Sequence, residues 1–420
     1  MASIEKLVDL HADPLYLTAL ASLGGTPSIA PKLPSHGSIA VLPFSNLSGE
    51  QEQEYFVDGL TEDIITDLSN EPGLFVIARN TSLSYKGKAT DVRRIAYDLG
   101  VKHILEGSVR KSAQKLRINV TLSNAQEGQQ LWAERFDRDL ADIFELQDEV
   151  TKRIVTSISG RLTEQASDKQ RPRSLEAYDL YLRGRNTWGI SKADCLKSVG
   201  IFEEVLRLEP DYAAAHAELG SAFATDWLVW NGPLQPNRSL AEFHTKRAVE
   251  LAPNESETLF RRAWVSLTYG NYEESQKFFE SAVASNPNIA DAWGGFADFH
   301  FLTGNLAAAV EACANALRLN PRPPTWYYLI IGSALVGAQK YQEVVDVLGP
   351  VIEQNGASRR FLAVALAKLG RVGEAHNQVR LFRELAPHWS AKAHTDKRAF
   401  KFEKDRDWWN RAYVEAGLPE

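Results

Sequence analysis

Residues 286–321 read NPNIADAWGGFADFHFLTGNLAAAVEACANALRLNP, and this stretch decides how the rest of the chain is read. Pro287 and Pro321 lie 34 residues apart, and so do Pro253 and Pro287. A fixed period of that length marks a helical hairpin that stacks on copies of itself to bury its apolar face. Within the period, Trp293, Phe296, Ala297 and His300 fall three or four residues apart and make one face of a first helix. Gly304 and Asn305 interrupt it. Ala309, Cys313 and Ala316 then align on a second helix, small where two helices approach closely. Pro321 ends that helix, because proline has no N–H for the ladder.

On these residues the stretch resembles the tetratricopeptide repeat (TPR), and the pattern extends both ways. A first pair runs from SLEAYDLYLRGRNTW to Pro210; the next closing proline is Pro253, and the surplus length lies in DWLVWNGPLQPNRS, residues 226–239. Trp227, Trp230 and Pro233 of that insertion are expected to cover a neighbouring face. Repeat three, 254–287, keeps Arg262, Ala263, Tyr272, Phe279 and Ala282 in place. After Pro321 a fifth pair has a slipped phase, with Pro350 inside or just after its second helix, and a sixth closes at Pro387. The reading is a TPR solenoid of about six helix pairs over 174–390. The remainder, 391–420, is expected to be a charged capping helix that turns Trp408, Trp409 and Tyr413 inward onto the last repeat.

Upstream, the periodicity changes. SIAVLPF, 38–44, is a short run rich in apolar residues that reads as a buried strand. Tyr55, Phe56, Leu60, Ile64, Ile65 and Leu68 recur at helical spacing, LFVIAR at 74–79 is a second strand, and DVRRIAYDLG at 91–100 is a short helix ended by Gly100. HILEGSVRK, LRINVTLSN and QLWAERFDR follow as three strands joined by hairpin-length turns. Asp142, with Glu145 three residues on, is placed to start a long exit helix. Residues 37–165 therefore read as a small mixed-sheet α/β domain, and the fold class as α/β plus all-α. Residues 166–174 are the expected seam between the two domains.

SIAVLPFSNLSG, EYFVDGLTEDIITDLS, LFVIARNTS, YKGK, LGVKHILEGSVRK, LWAERFDRDLADIFELQDEV and the final AGLPE resemble the region that follows the catalytic domain in bacterial class III adenylate cyclase-like proteins. A similar module follows a winged-helix domain in some transcriptional regulators. The resemblance runs from about residue 37 to 420 and implies a TolB amino-terminal-like α/β domain followed by TPR repeats. Relatives of this kind carry an effector at the amino end. About 36 residues precede the module in this sequence, too few for a cyclase domain or a winged helix, so no catalysis is expected of it.

Composition bounds the remaining choices. In 420 residues, 44% hydrophobic and 24% charged, a net charge of −7 argues against general nucleic-acid binding. Cys195 and Cys313 alone supply neither a disulfide framework nor a cysteine zinc site. PLYLTALASLGG at 14–25 has no basic region before it and is too short to span a bilayer. Residues 1–36 are therefore expected to form a short helix and a proline-containing linker, no membrane association is expected, and a cytoplasmic location is the default. No phosphate loop, histidine pair or nucleophile–base set appears, so neither cofactor nor metal is expected.

A solenoid presents the inner sides of its first helices to partners. Counting from Trp293, the candidate peptide-groove positions are Glu257, Phe260, Arg261, Trp264, Asp291, Asp298, Phe301, Arg360, Val364 and Lys368. They lack the lysine–asparagine set of chaperone-tail clamps; their aromatic anchors and mixed charge suit an extended or helical peptide, or the chain's own first domain. The expected function is a non-catalytic regulatory or scaffold role through a protein or peptide partner, with self-association open. Alternatives are a nucleotide-signalling accessory that binds a nucleotide or a separate cyclase, and a component of DNA-linked transcriptional regulation.

Overall fold

The computed structural model describes residues 37–88, 91–112, 114–159, 171–188 and 191–420; the helix and linker expected over 1–36 lie outside the described residues. Strand β1 (Ser38–Val41) is buried along its whole length, as an apolar run must be when both sheet faces are covered. It pairs in parallel with β3 (Phe75–Val76) on one side and β4 (His103–Ser112) on the other. A two-residue strand, β2 (Ser45–Asn46), adds to β4. β4 then runs antiparallel to β5 (Lys115–Asn124), and β5 to β6 (Gln129–Asp139). The order β3-β1-β4-β5-β6 is the mixed sheet expected from two crossovers followed by two hairpins.

Helices α1 (Glu54–Ser69) and α4 (Ile143–Ser159) cover one face, where Leu60, Ile64, Leu146 and Ile154 pack on Ile39, Val41 and Leu105. Helix α3 (Val92–Leu99) covers the other through Ile95 and Leu99. Asp91 caps α3 by accepting from the Arg93 N–H at 2.9 Å, and Gly100 ends it at φ 64°, a conformation that costs glycine little. The strand expected over 74–79 is shorter than its apolar run. The Ile77 N–H makes the last bond to β1, on the Ile39 carbonyl at 3.0 Å, the Ala78 N–H on the opposite edge donates to the Leu319 carbonyl at 2.8 Å, and a short helix α2 (Arg79–Leu83) follows.

Among the described residues, six antiparallel pairs make the solenoid: α5 (Leu175–Thr187) with α6 (Lys192–Leu208), α7 (Ala213–Leu228) with α8 (Leu234–Leu251), α9 (Ser256–Thr268) with α10 (Tyr272–Ser285), α11 (Ala290–Leu302) with α12 (Leu306–Leu319), α13 (Thr325–Gly337) with α14 (Tyr341–Leu348), and α15 (Arg359–Lys368) with α16 (Val372–Leu385). The small residues read from the repeat, Ala263, Ala297, Ala309, Cys313 and Ala316, are all buried between neighbouring helices. Pro350 lies in a 3-10 turn just after α14. Trp227 of the insertion packs at a tilt against Tyr269, 5.4 Å between ring centroids, so it covers a neighbouring face.

The seam at 166–174 does not divide the core. Ala177, Tyr178 and Leu182 of α5 and Phe202 of α6 belong to the same apolar cluster as α1 and α4. α1 and α5 approach so closely at Gly59 that a Cβ there would stand 2.6 Å from the Leu182 side chain. The C-terminal stretch also differs from a simple cap. It forms two helices, α17 (Ala391–Lys397) and α18 (Glu403–Glu415), and turns back onto the inner face of the solenoid. Trp409 and Tyr413 are buried as expected, but their rings meet Phe301 of α11 and Phe361 of α15, while Val372 and Leu385 on the last helix stay exposed.

Candidate functional site

The inner face divides into two sectors, and the ten candidate groove residues fall between them. In the first sector a chain of charges crosses from the α/β domain into the solenoid. Glu62 of α1 pairs with Arg79 at 2.9 Å and with Arg185 of α5, which reaches Glu218 of α7 at 3.5 Å. Glu218 pairs with Arg261 of α9 at 3.2 Å; Arg261 also pairs with Glu257 at 2.8 Å and lies over the Trp188 ring. Further along, the Tyr327 hydroxyl donates to Asp291 at 2.6 Å. Burial raises the Asp291 carboxyl above the usual carboxylate range, against the opposing Tyr327 bond. Glu257, Arg261 and Asp291 thus act within the chain's own network.

Beside this network the loops that close repeats three and four hold the α/β domain. Asn286 Nδ2 donates to Ser69 Oγ at 2.9 Å, and Asn288 Nδ2 donates to the carbonyls of Ser69 at 2.9 Å and Leu74 at 2.8 Å. Asn320 Oδ1 accepts from the Thr81 hydroxyl at 2.7 Å and from its N–H at 3.2 Å. These asparagines were not among the candidates. For Asn286 and Asn320 the signal is in the sequence: repeats three and four close on Asn-Pro, whereas repeats one, two and six close on Glu-Pro or Ala-Pro.

The second sector lies under the C-terminal segment. Asp298 pairs with Arg398, Lys368 pairs with Glu415 at 2.7 Å, and Phe301 meets Phe400 and Trp409 with centroids 5.6 and 5.5 Å away. Arg360 is bonded to Tyr413. Trp264 borders a narrow gap with Lys397 and Arg398. Phe260 packs against Phe279 inside the array, and Val364 is fully buried in its core. The ten positions therefore do not form one open peptide groove: the first domain's charges occupy one end and the C-terminal helices cover the other.

Outside these sectors burial shifts Cys195, Cys313, His216 and His244 toward their uncharged forms. Burial, then the Asp226 charge, pushes the Cys195 thiol up to about 11, and burial pushes the Cys313 thiol further up. His216 and His244 face each other with Nδ1 atoms 2.8 Å apart. Burial and the neighbouring His216 push His244 down to about 4. A shared hydrogen bond between two imidazoles needs one of the facing nitrogens to lack its proton.

Comparisons with known proteins bear on both parts of the chain. Residues 35–153 match the family described as HilA/YgeH-like transcriptional regulator, second domain, and residues 260–324 match the tetratricopeptide repeat family. Over 227 residues the chain is 46% identical to a Rhizobium meliloti (strain 1021) protein named "Putative adenylate cyclase 3", covering 52% of this chain and 38% of that protein's length. Among solved structures, pilF of Pseudomonas aeruginosa has 18% identity and a TM-score of 0.39, covering 51% of this chain and 94% of its own. TolB from Acinetobacter baumannii has 17% identity and a TM-score of 0.24, covering 32% of this chain and 31% of its own. Among the described residues, no helix is long and apolar enough to cross a membrane. The chain thus joins an α/β domain like the second domain of HilA/YgeH-like transcriptional regulators to a solenoid of tetratricopeptide repeats, and about half of it is similar in sequence to part of a protein named for adenylate cyclase.

Proposed function

We propose that this chain is a non-catalytic regulatory or scaffold protein that works through contact with a protein or peptide partner. The observation that carries the reading is the continuous core and the asparagine bonds that join the α/β domain to the repeats, so that six helix pairs and a sheet present one preassembled surface. With the inner face covered, a partner meets the outer helices and the sheet, or displaces the C-terminal segment. The test is affinity capture on the immobilised full chain, with partners identified by mass spectrometry under several growth conditions. A stoichiometric partner supports the reading, and the absence of any retained protein overturns it. Cyclic AMP formed by the purified chain from ATP and a divalent metal would overturn the non-catalytic part.

The shared stretch with a protein named for adenylate cyclase favours a second reading, an accessory that binds a nucleotide or a separate cyclase. Calorimetry with ATP, GTP and cyclic AMP decides it, since no heat at high protein concentration removes it. The match to a domain of transcriptional regulators supports DNA-linked regulation, for which salt-sensitive DNA binding is the required sign.

A further inference from the structure

The C-terminal segment does not fill the second sector completely. Between it and the inner helices remains a pocket of about 280 Å³, walled by Phe361, Phe400, Trp389 and Trp409, with Leu228 and Val229 of the repeat-two insertion at its edge. Its charged lining is one-signed: Arg360, Lys397 and Arg398 contribute cations beside the polar Ser333, His394, Thr395 and Tyr413, and among the described residues no carboxylate lines it. Arg398 is paired with Asp298 behind the wall, and Lys397 donates to the neutral Asn231 of the insertion.

Arg360 sets the pocket apart. It is 7% exposed, and among the described residues no carboxylate pairs with it. One guanidinium nitrogen donates to the Ala357 carbonyl at 2.9 Å, the group is bonded to the Tyr413 hydroxyl, its plane lies 4.6 Å over the Phe361 ring, and its Nε–H is buried without a partner. Arginines buried to the same degree elsewhere end on acids: Arg262 on Glu274 at 2.6 Å and Arg359 on Glu353 at 2.8 Å. A desolvated guanidinium without a counter-charge is unfavourable unless an anion completes it. The group's planar fork matches a carboxylate, and the aromatic walls suit an apolar body.

We propose that this pocket binds a small organic carboxylate with an aromatic or aliphatic body, the carboxylate on Arg360 and the body between the rings. The volume lies just below the roughly 300 to 1,000 Å³ of pockets for drug-sized ligands, so the occupant is smaller than a nucleotide or an extended peptide. The inference does not depend on the protein-partner reading. Two of the rings, Trp389 and Trp409, report on occupancy by fluorescence.

The full chain is titrated with phenylacetate, with its neutral isostere phenylacetamide, and with benzyl phosphate. The expected result is a saturable change in tryptophan emission with phenylacetate, with phenylacetamide weaker by about tenfold or more, as one lost charge-assisted contact of about 1.4 kcal/mol implies. Arg360→Gln weakens phenylacetate by a similar factor without lowering the melting temperature of the free protein, because it removes an unpaired buried charge. Ser333→Phe, which fills the pocket from α13, abolishes the response while Arg360 remains. Equal affinity for acid and amide, no saturable change with phenylacetate at millimolar concentration, or a folded Arg360→Gln that binds as wild type overturns the proposal. Preference for benzyl phosphate over phenylacetate overturns the carboxylate assignment. If Arg360→Gln does not fold, the acid–amide pair and Ser333→Phe decide alone.

Discussion

The two sectors of the inner face are closed by different balances of polar and aromatic contacts. Beside their shared core, the first meets the α/β domain mainly through ion pairs and asparagine side-chain hydrogen bonds, from Glu62 to Arg261 and from Asn286 to Asn320. The second meets the C-terminal segment through rings, with Trp409 touching Phe301, Phe361 and Tyr413. Polar contacts that return water-satisfied groups to partners add modest net stability but fix orientation, whereas aromatic burial supplies free energy with looser direction. The first sector therefore sets how the domains sit, and the second sets how firmly the solenoid is closed.

Trp409→Ala strikes the second sector hardest. Removing a fully packed ring is expected to cost about 3–5 kcal/mol in chemical unfolding and to expose residues 391–420 to proteolysis. Asn320→Ala tests the first sector, where it strands both Thr81 donors. The expected loss is about 1–3 kcal/mol, with faster hydrogen exchange at residues 79–84 and unchanged exchange in α18. Equal exchange changes in both sectors would erase the distinction between them.

Acid sharpens the comparison. Burial, then Arg360 and Arg398, holds His394 well below its ordinary value of 6.5, and His244 is pushed to about 4. The unfolded chain takes these protons near 6.5 and the folded chain takes them only lower, so the unfolded state holds more protons in between. Stability is full above about 6.5 and falls as pH drops from there toward 4. His394→Phe is expected to reduce this loss, read as a flatter dependence of melting temperature on pH, with the effect centred on the second sector. The smallest change is expected of Lys368→Ala, whose exposed pair with Glu415 is worth less than about 1 kcal/mol and whose loss leaves proteolysis of residues 391–420 unaltered.

Much of this was legible in the chain. The 34-residue spacing of prolines located the helix pairs, and the unbroken run at Ser38–Val41 located a strand covered on both faces. The groove was harder to read. Position within a helix identifies which side chains point inward, and Asp298, Phe301 and Arg360 do lie on the inner side, but it carries no information about what folds back over them. The Asn-Pro closings of repeats three and four distinguish the docking loops, yet an asparagine before a proline is ordinary loop chemistry until Ser69 and Thr81 arrive beside it.

The sequence by itself determined the local order: periodicity set helix or strand, prolines and glycines set the ends, and small residues set where helices approach. Only the tertiary structure decided that the first helix pair would share its core with the sheet, that the chain after β3 would turn into a helix at Arg79 with the Ala78 N–H on the Leu319 carbonyl, and that the C-terminal helices would lie on the inner face. The physical reason is range. Backbone propensity acts over a few residues, whereas the partners of Asn320 and Arg398 stand 239 and 100 residues away and are selected by which buried groups remain to be satisfied.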